Sequence, residues 1–190
     1  GVYDPLGLAS PLTSQLKLDM SCVCKLVSGW DDSLPPEMLT TWVTNLEQIQ
    51  ELAEISVPRN VGSIDEGVKK FELIGCADAS QQIAAAAVYA RTLSKSGIYD
   101  CNLLIAKTKI VTKSTIPQAE LRAASLLASI AHVVRHNLGE YIAKEYYVTD
   151  STITLCWMNQ DSRPLHQAIR NSVIHIRRLT NLEDWYHCPG

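Results

Sequence analysis

Residues 71–78 read Phe71-Glu72-Leu73-Ile74-Gly75-Cys76-Ala77-Asp78. The run alternates, then turns apolar, and ends on a carboxylate, which suits a strand entering a core and stopping at its edge. The stretch from Gln82 to Thr92 is ambiguous. Its four consecutive alanines favour helix by propensity, while its length and its Val88-Tyr89 end allow a strand of small residues. Cys101 to Lys107 is a short apolar run read as a strand. Ile116-Pro117 opens a helix to about Leu138, with Pro117 in the first turn and Leu121, Leu127, Ile130, Val134 and Leu138 on one stripe. Glu145 to Thr149 is a short strand, and Asp150-Ser151-Thr152 caps a helix over Ile153 to Met158. Leu165 to Leu179 reads as another helix and Trp185 to Cys188 as a closing strand. The order β-β-β-α-β-α-α-β argues for one α/β domain.

Toward the N-terminus the texture changes. Tyr3 to Pro11 is rich in turn residues, and Thr13 to Val27 follows as a helix with Leu16, Met20, Val23 and Val27 in line. Trp30 to Glu37 is a break in which Asp32 or Ser33 caps a second helix, from about Glu37 to Leu52, with Leu39, Trp42, Leu46 and Ile49 on one stripe. Val57-Pro58-Arg59 ends it, and Gly62 to Gly67 reads as a polar linker. Two parts are expected: a mainly helical segment over 1–68 and an α/β domain over 69–190.

Composition excludes several classes. The chain has 190 residues, 46% hydrophobic and 19% charged, with a net charge of −3. That is the profile of a chain that buries a core, not of a disordered one. The longest apolar run, Ile83 to Ala90, is far short of the about 20 residues that span a membrane, so no membrane partner is expected. The six cysteines do not form a disulfide scaffold, and Cys22 and Cys24 alone do not make a zinc half-site. They read as reduced thiols of a cytosolic protein. The charge is uneven: residues 1–74 carry five Lys/Arg against eleven Asp/Glu, and residues 75–190 carry twelve against nine. The second part is the better match for a polyanion. The start at Gly1 and the end at Cys188-Pro189-Gly190 suggest a piece of a longer polypeptide.

Three carboxylates fall at junctions between elements. Asp78 ends the first strand, Glu120 lies in the first turn of the long helix, and Asp150 ends the fourth strand. In an open α/β sheet such positions meet at one edge. If the first and fourth strands are neighbours, Asp78 and Asp150 stand side by side with Glu120 over them. Like charges that close raise each other's pKa, and a hard divalent cation such as Mg²⁺ or Mn²⁺ relieves the conflict. The plainer alternative makes Asp78 a turn residue, with Glu120 and Asp150 only favouring helix N-termini.

Cys76-Ala77-Asp78-Ala79-Ser80, Thr115-Ile116-Pro117-Gln118-Ala119-Glu120-Leu121 and Val148-Thr149-Asp150-Ser151-Thr152, in that order, resemble the ribonuclease H domain of reverse transcriptases. Tyr3-Asp4-Pro5-Leu6-Gly7-Leu8, Gly29 to Pro35 and Ile55 to Arg59 resemble the stretch before ribonuclease H in Pao/BEL-type LTR retrotransposon polyproteins. The ending Trp185 to Gly190 resembles that family's closing strand. The resemblance covers almost the whole chain. It implies a five-stranded mixed sheet of order 3-2-1-4-5 with flanking helices, and makes Gln82 to Thr92 an antiparallel second strand.

It also implies a reaction: hydrolysis of the RNA strand of an RNA–DNA hybrid by two Mg²⁺ or Mn²⁺ ions, with Asp78 bridging them and Glu120 and Asp150 each holding one. Ser80, Gln118, Ser151 and Asn171 are the implied nucleic-acid contacts. The implied partners are the hybrid and the remaining reverse transcriptase domains of the polyprotein. The implied setting is a cytoplasmic retroelement particle, or the nucleus. No Tyr-x-Asp-Asp motif occurs, so the polymerase site itself lies elsewhere.

The chain departs from the family in places. A fourth carboxylate normally follows the closing strand in an Asn-Pro-Ala-Asp-like stretch, and this chain stops before it. Gln118 stands where Arg is usual and Ala119 where Leu is usual. Asn171 matches a family Asn, but Ser172 replaces the Arg after it, with Arg170 one place before. These departures keep open a second reading, a non-catalytic connection or nucleic-acid-binding module. A peptidase is disfavoured: Asp150-Ser151 is followed by Thr152 rather than Gly, and neither Gly-x-Ser-x-Gly nor His-Glu-x-x-His occurs.

His132 and His136, four apart on the long helix, form a metal pair or a surface pair, too far from Glu120 to join it. His187 either approaches the site from the last strand or is structural. Lys107, Lys109 and Lys113 either touch phosphate or guard a solvated edge. Trp30, Trp42, Trp157 and Trp185 read as core residues. Cys76 has no base beside it in sequence and is not read as a nucleophile.

Overall fold

A computed structural model describes residues 2–27, 29, 31–54, 56–57, 70–94 and 96–189. The chain divides into two compact units, Gly1–Pro58 and Arg59–Gly190. Trp30, most of Val57-Pro58-Arg59, the linker expected at Gly62 to Gly67 and the boundary expected near 68 lie outside the described residues.

In the first unit, α1 spans Ser10–Leu26 and α2 spans Pro36–Glu51, followed by a 3-10 turn at Leu52–Glu54. Helix α1 starts three residues earlier than its stripe suggests, because Pro11 is tolerated in a first turn. The Asp4 carboxylate accepts the N–H groups of Leu8 and Ala9 and fixes the turn before it. Pro35, rather than Asp32 or Ser33, stands at the α2 N-cap. The Asp32 carboxylate instead accepts the Gly29 N–H at 2.8 Å. Asn45 on α2 donates to Asp19 on α1 at 2.6 Å. The expected α2 stripe is only half covered: Trp42 and Ile49 are partly buried, Leu39 and Leu46 exposed.

The second unit is a five-stranded sheet of order β3-β2-β1-β4-β5. Its strands are β1 Phe71–Ala79, β2 Ile83–Leu93, β3 Tyr99–Ile110, β4 Ile142–Thr149 and β5 Trp185–His187. Its helices are α3 Ile116–Leu138, α4 Thr152–Asn159 and α5 Gln167–Leu179. Strands β1, β2 and β3 form an antiparallel meander, while β4 lies parallel to β1 and β5 parallel to β4. Strands β3 and β4 are longer than their apolar runs suggest, because the added residues are exposed or half-buried and mix polar with apolar types, so they do not continue the run. The α5 helix begins at Gln167 rather than Leu165, behind His166, whose Nδ1 accepts the Ala168 N–H.

Helix α3 packs on β1 and β2, and small residues explain the close fit. Ala84, Ala86 and Ala90 of β2 are buried, as are Ala119, Ala123, Ala124, Ala128 and Ala131 of α3. The alanines of β2 are therefore strand residues for a packing reason that outweighs their helix propensity. Gly75 of β1 lies beneath the same helix. A Cβ there would come within 2.7 Å of Leu127 and 2.8 Å of Tyr147, both fully buried. Gly75→Ala is expected to cost about 1–3 kcal/mol by overpacking. Urea unfolding of the variant checks this, and an unchanged midpoint would refute the fit described.

Candidate active site

The register of β1 on β4 pairs Ala77 with Thr149, so the next residues, Asp78 and Asp150, stand side by side at one end of the sheet, Asp78 still paired with Ala85 of β2 and Asp150 just past the end of β4. Both are exposed. Helix α3 begins at the same edge, set by a capping box in which Thr115 and Gln118 satisfy each other's backbone N–H groups. Glu120 is thereby held half-buried just past the first turn, not within it as the sequence suggests, because the helix begins at Ile116. Its carboxylate accepts the Ser151 hydroxyl at 2.5 Å. Ser151 follows Asp150 directly and also caps α4, accepting the Thr154 N–H at 3.1 Å. One buried hydroxyl thus ties the start of α3 to the end of β4. His187 Nε2 lies 3.1 Å from the Asp150 carbonyl oxygen, so the last strand does reach the site, by way of an exposed ring.

The backbone brings the three carboxylates to one edge, but their side chains are not gathered. The Asp78 carboxylate turns back to accept the Ala79 N–H at 2.6 Å. Among the described residues, no three His, Cys, Asp or Glu side chains are placed to hold a metal ion. The donor set, three carboxylates, matches the oxygen preference of Mg²⁺ or Mn²⁺. An exposed Asp side chain changes rotamer within nanoseconds, so the Asp78 bond is readily exchanged for an ion.

The other singled-out residues divide. Ser80 holds the β1–β2 turn, its Oγ accepting the N–H groups of Gln82 and Ile83. The Gln118 amide oxygen accepts from Thr115 N–H and Ser114 Oγ, both at 3.3 Å, and serves the helix start. Asn171 is exposed on α5. His132 and His136 are exposed on α3. Lys107, Lys109 and Lys113 are exposed, and Lys113 adopts a positive φ of 50°. Trp185 is buried and donates its indole N–H to Thr180, while Trp157 packs against the core and Trp42 is half-buried. All six cysteines are free thiols. Burial pushes the Cys76 thiol up, and nearby Cys188 adds to this, so it stays protonated and unreactive.

Sequence reasoning missed a polar clamp at the far end of α3, away from the carboxylates. Arg135 of α3 donates to both Glu145 oxygens at 2.7 Å, to Tyr147 Oη at 2.9 Å and to the Leu179 carbonyl at 2.7 Å. Tyr147 Oη also donates to Glu145. Burial would raise the Glu145 pKa, but the hydrogen bonds from Arg135 and Tyr147 outweigh it and hold the carboxyl below its usual value. The only signal for this clamp was an Arg on the helical stripe's margin facing alternate residues of β4.

Five strands in the order 3-2-1-4-5, with β1 and β4 parallel at the centre and an acidic residue at the end of each, define a ribonuclease H-like domain. The family model of the Pao retrotransposon-like RNaseH-like domain matches residues 1–151, and the chain belongs to that family. It is a ribonuclease H-like domain of a retroelement polyprotein.

No curated protein matches the chain. Among solved structures, it is similar to a foamy viral protease-reverse transcriptase dRH in complex with dsDNA (15% identity, TM-score 0.54, 99% of this chain and 29% of that one). A foamy viral protease-reverse transcriptase in complex with dsDNA is also similar (11% identity, TM-score 0.51, 100% of this chain and 39% of that one). RNase H1 from the halophilic archaeon Halobacterium salinarum NRC-1 matches at 17% identity and a TM-score of 0.36, over 63% of this chain and 86% of that one. The chain spans well under half of the foamy viral proteins, which share its fold. No helix among the described residues is long and apolar enough to cross a membrane.

Proposed function

We propose that the domain hydrolyses the RNA strand of RNA–DNA hybrids, with two Mg²⁺ or Mn²⁺ ions held by Asp78, Glu120 and Asp150. The observation that carries this reading is the parallel pairing of Ala77 with Thr149, which sets Asp78 and Asp150 at neighbouring positions of adjacent strands, at the end where the Ser151 hydroxyl reaches Glu120 of α3. When bound, the ions supply an activated water and neutralise charge on the leaving oxygen. Glu120 is oriented by the Ser151 hydroxyl, so its carboxylate meets the site in one rotamer. Asn171, exposed on α5, offers an amide to the substrate strand, while Ser80, Gln118 and Ser151 act by shaping the edge. The domain works beside the polymerase parts of the same polyprotein, in a cytoplasmic particle or the nucleus.

The test is cleavage of an end-labelled RNA–DNA hybrid in Mn²⁺, abolished by chelation. Absence of cleavage overturns the hydrolytic reading. One observation favours the non-catalytic module instead: the three side chains are not gathered. Mg²⁺ titration separates the two, since a working site raises the melting temperature with metal concentration and a degenerate one does not.

A further inference from the structure

Asp150 occupies a joint between two elements. Strand β4 ends at Thr149, and Ser151 is the N-cap of α4. The Thr149 carbonyl still accepts from the sheet side, taking the Cys188 N–H at 3.1 Å. The Ser151 carbonyl is the first to serve the helix, accepting the Leu155 N–H at 3.2 Å. The peptide between Asp150 and Ser151 lies between the two series, and side chains hold both of its polar groups. His187 Nε2 lies 3.1 Å from its carbonyl oxygen. Its N–H donates to Thr149 Oγ1 at 3.2 Å. A carbonyl only accepts, so Nε2 carries the proton and donates. Nδ1 takes no part, so this bond exists in the neutral ring and in the imidazolium alike.

The two holders are a cross-strand pair, Thr149 of β4 opposite His187 of β5. Paired residues share one face of a sheet, here the face on which Tyr147 and Trp185 are buried. Thr149 is buried and His187 exposed. Strand β5 has three residues, and Trp185 supplies its buried contact. The imidazole two places on serves the Asp150–Ser151 peptide. A peptide unit is planar, so holding its two polar groups restrains its rotation between the flanking Cα atoms. One of those atoms carries the Asp150 carboxylate. The other carries the hydroxyl that Glu120 accepts. Rotation of this one peptide would displace both carboxylates of the β4–α3 side relative to each other.

We propose that His187 is a positioning residue: from β5 it locks the Asp150–Ser151 peptide and so sets the mutual placement of the Asp150 and Glu120 carboxylates. Its effect on cleavage rests on the hydrolytic reading, whereas the lock itself does not. The lock is measured without metal, as hydrogen exchange of the buried Ser151 amide by NMR of the full chain in EDTA. His187→Ala is expected to speed that exchange at least about tenfold, while amides of the β1–β2 pairing and the melting temperature stay unchanged. His187→Gln places an amide donor near the Nε2 position and is expected to keep the wild-type rate. His187→Phe keeps the bulk of a ring without the donor and is expected to exchange as His187→Ala does. It carries the comparison should His187→Ala melt early.

Cleavage of an RNA–DNA hybrid gives the second readout. His187→Ala and His187→Phe are expected to need about tenfold more Mn²⁺ for half-maximal cleavage, the scale of losing an outer-shell partner, with the rate at saturating Mn²⁺ changed less. His187→Gln is expected to follow wild type. A Ser151 amide that exchanges at the wild-type rate in both donorless variants overturns the proposal. A His187→Gln variant as defective as His187→Ala also overturns it, because the ring would then act by something other than its Nε2–H. If wild type cleaves no hybrid, the hydrolytic reading fails and the exchange rates alone decide for or against the lock. If wild type cleaves and the donorless variants match it in both readouts, the lock fails alone.

Discussion

Asp78→Asn and Glu120→Gln are each expected to reduce cleavage of the RNA strand by about a hundredfold or more while leaving the melting temperature near that of wild type. The magnitude has a floor: loss of a mere outer-shell partner of a metal ligand costs 10–100-fold, and these changes remove a ligand's charge. The fold is spared because each amide keeps the oxygen that the structure uses. Asp78 accepts one backbone N–H and Glu120 one hydroxyl, and an amide oxygen accepts both. Gel assays in Mn²⁺ beside thermal melts give the two readouts. Cleavage that survives Asp78→Asn would remove the chemistry from this edge altogether. Loss of cleavage accompanied by unfolding would show that the carboxylates hold the fold instead.

Arg135→Met is expected to cost about 2–4 kcal/mol in urea unfolding, the largest single-residue loss of stability foreseen here. Breaking a buried ion pair costs about 3–5 kcal/mol because it strands the partner, and the partial exposure of Arg135 reduces this. The stranded partners are the Glu145 carboxylate and the Leu179 carbonyl. Acid sharpens the test. Glu145 titrates below its unfolded value, so its contribution is present above about pH 4.3 and is lost as pH falls through the folded value. The stability gap between wild type and Arg135→Met is therefore expected to narrow below about pH 4. A gap that stays constant down to pH 3 would mean that the clamp is not what Arg135 supplies.

Much of the architecture was legible because its signals are local. The α3 stripe, Pro117 in its first turn and the apolar run of β1 each carry their own period. The four alanines of β2 did not, since propensity points to helix and only the approach of α3 makes small strand residues favourable. The three carboxylates were legible as positions at the ends of elements. Their present side-chain directions were not, because the Asp78 to Ala79 bond is a choice among rotamers. The Arg135 clamp and the hold of His187 and Thr149 on one peptide were illegible for a related reason. Each joins residues from three or more elements, and no spacing in one segment encodes such a meeting.

The pairing of Ala77 with Thr149 also governs when the site comes into being. Strands β1, β2 and β3 are joined by short hairpins and can form as soon as they are made. The β1–β4 contact closes a loop of 72 residues through α3, and contacts so distant in sequence are slow and entropically costly to make. Asp78 is thus available early and Asp150 arrives late. A ribosome-bound or prematurely released chain that ends before β4 carries Asp78 and Glu120 but not Asp150, nor the Ser151 hydroxyl that Glu120 accepts. The chain acquires its paired aspartates only in the step that completes the parallel half of the sheet, so assembly of the site and closure of the fold are one kinetic event.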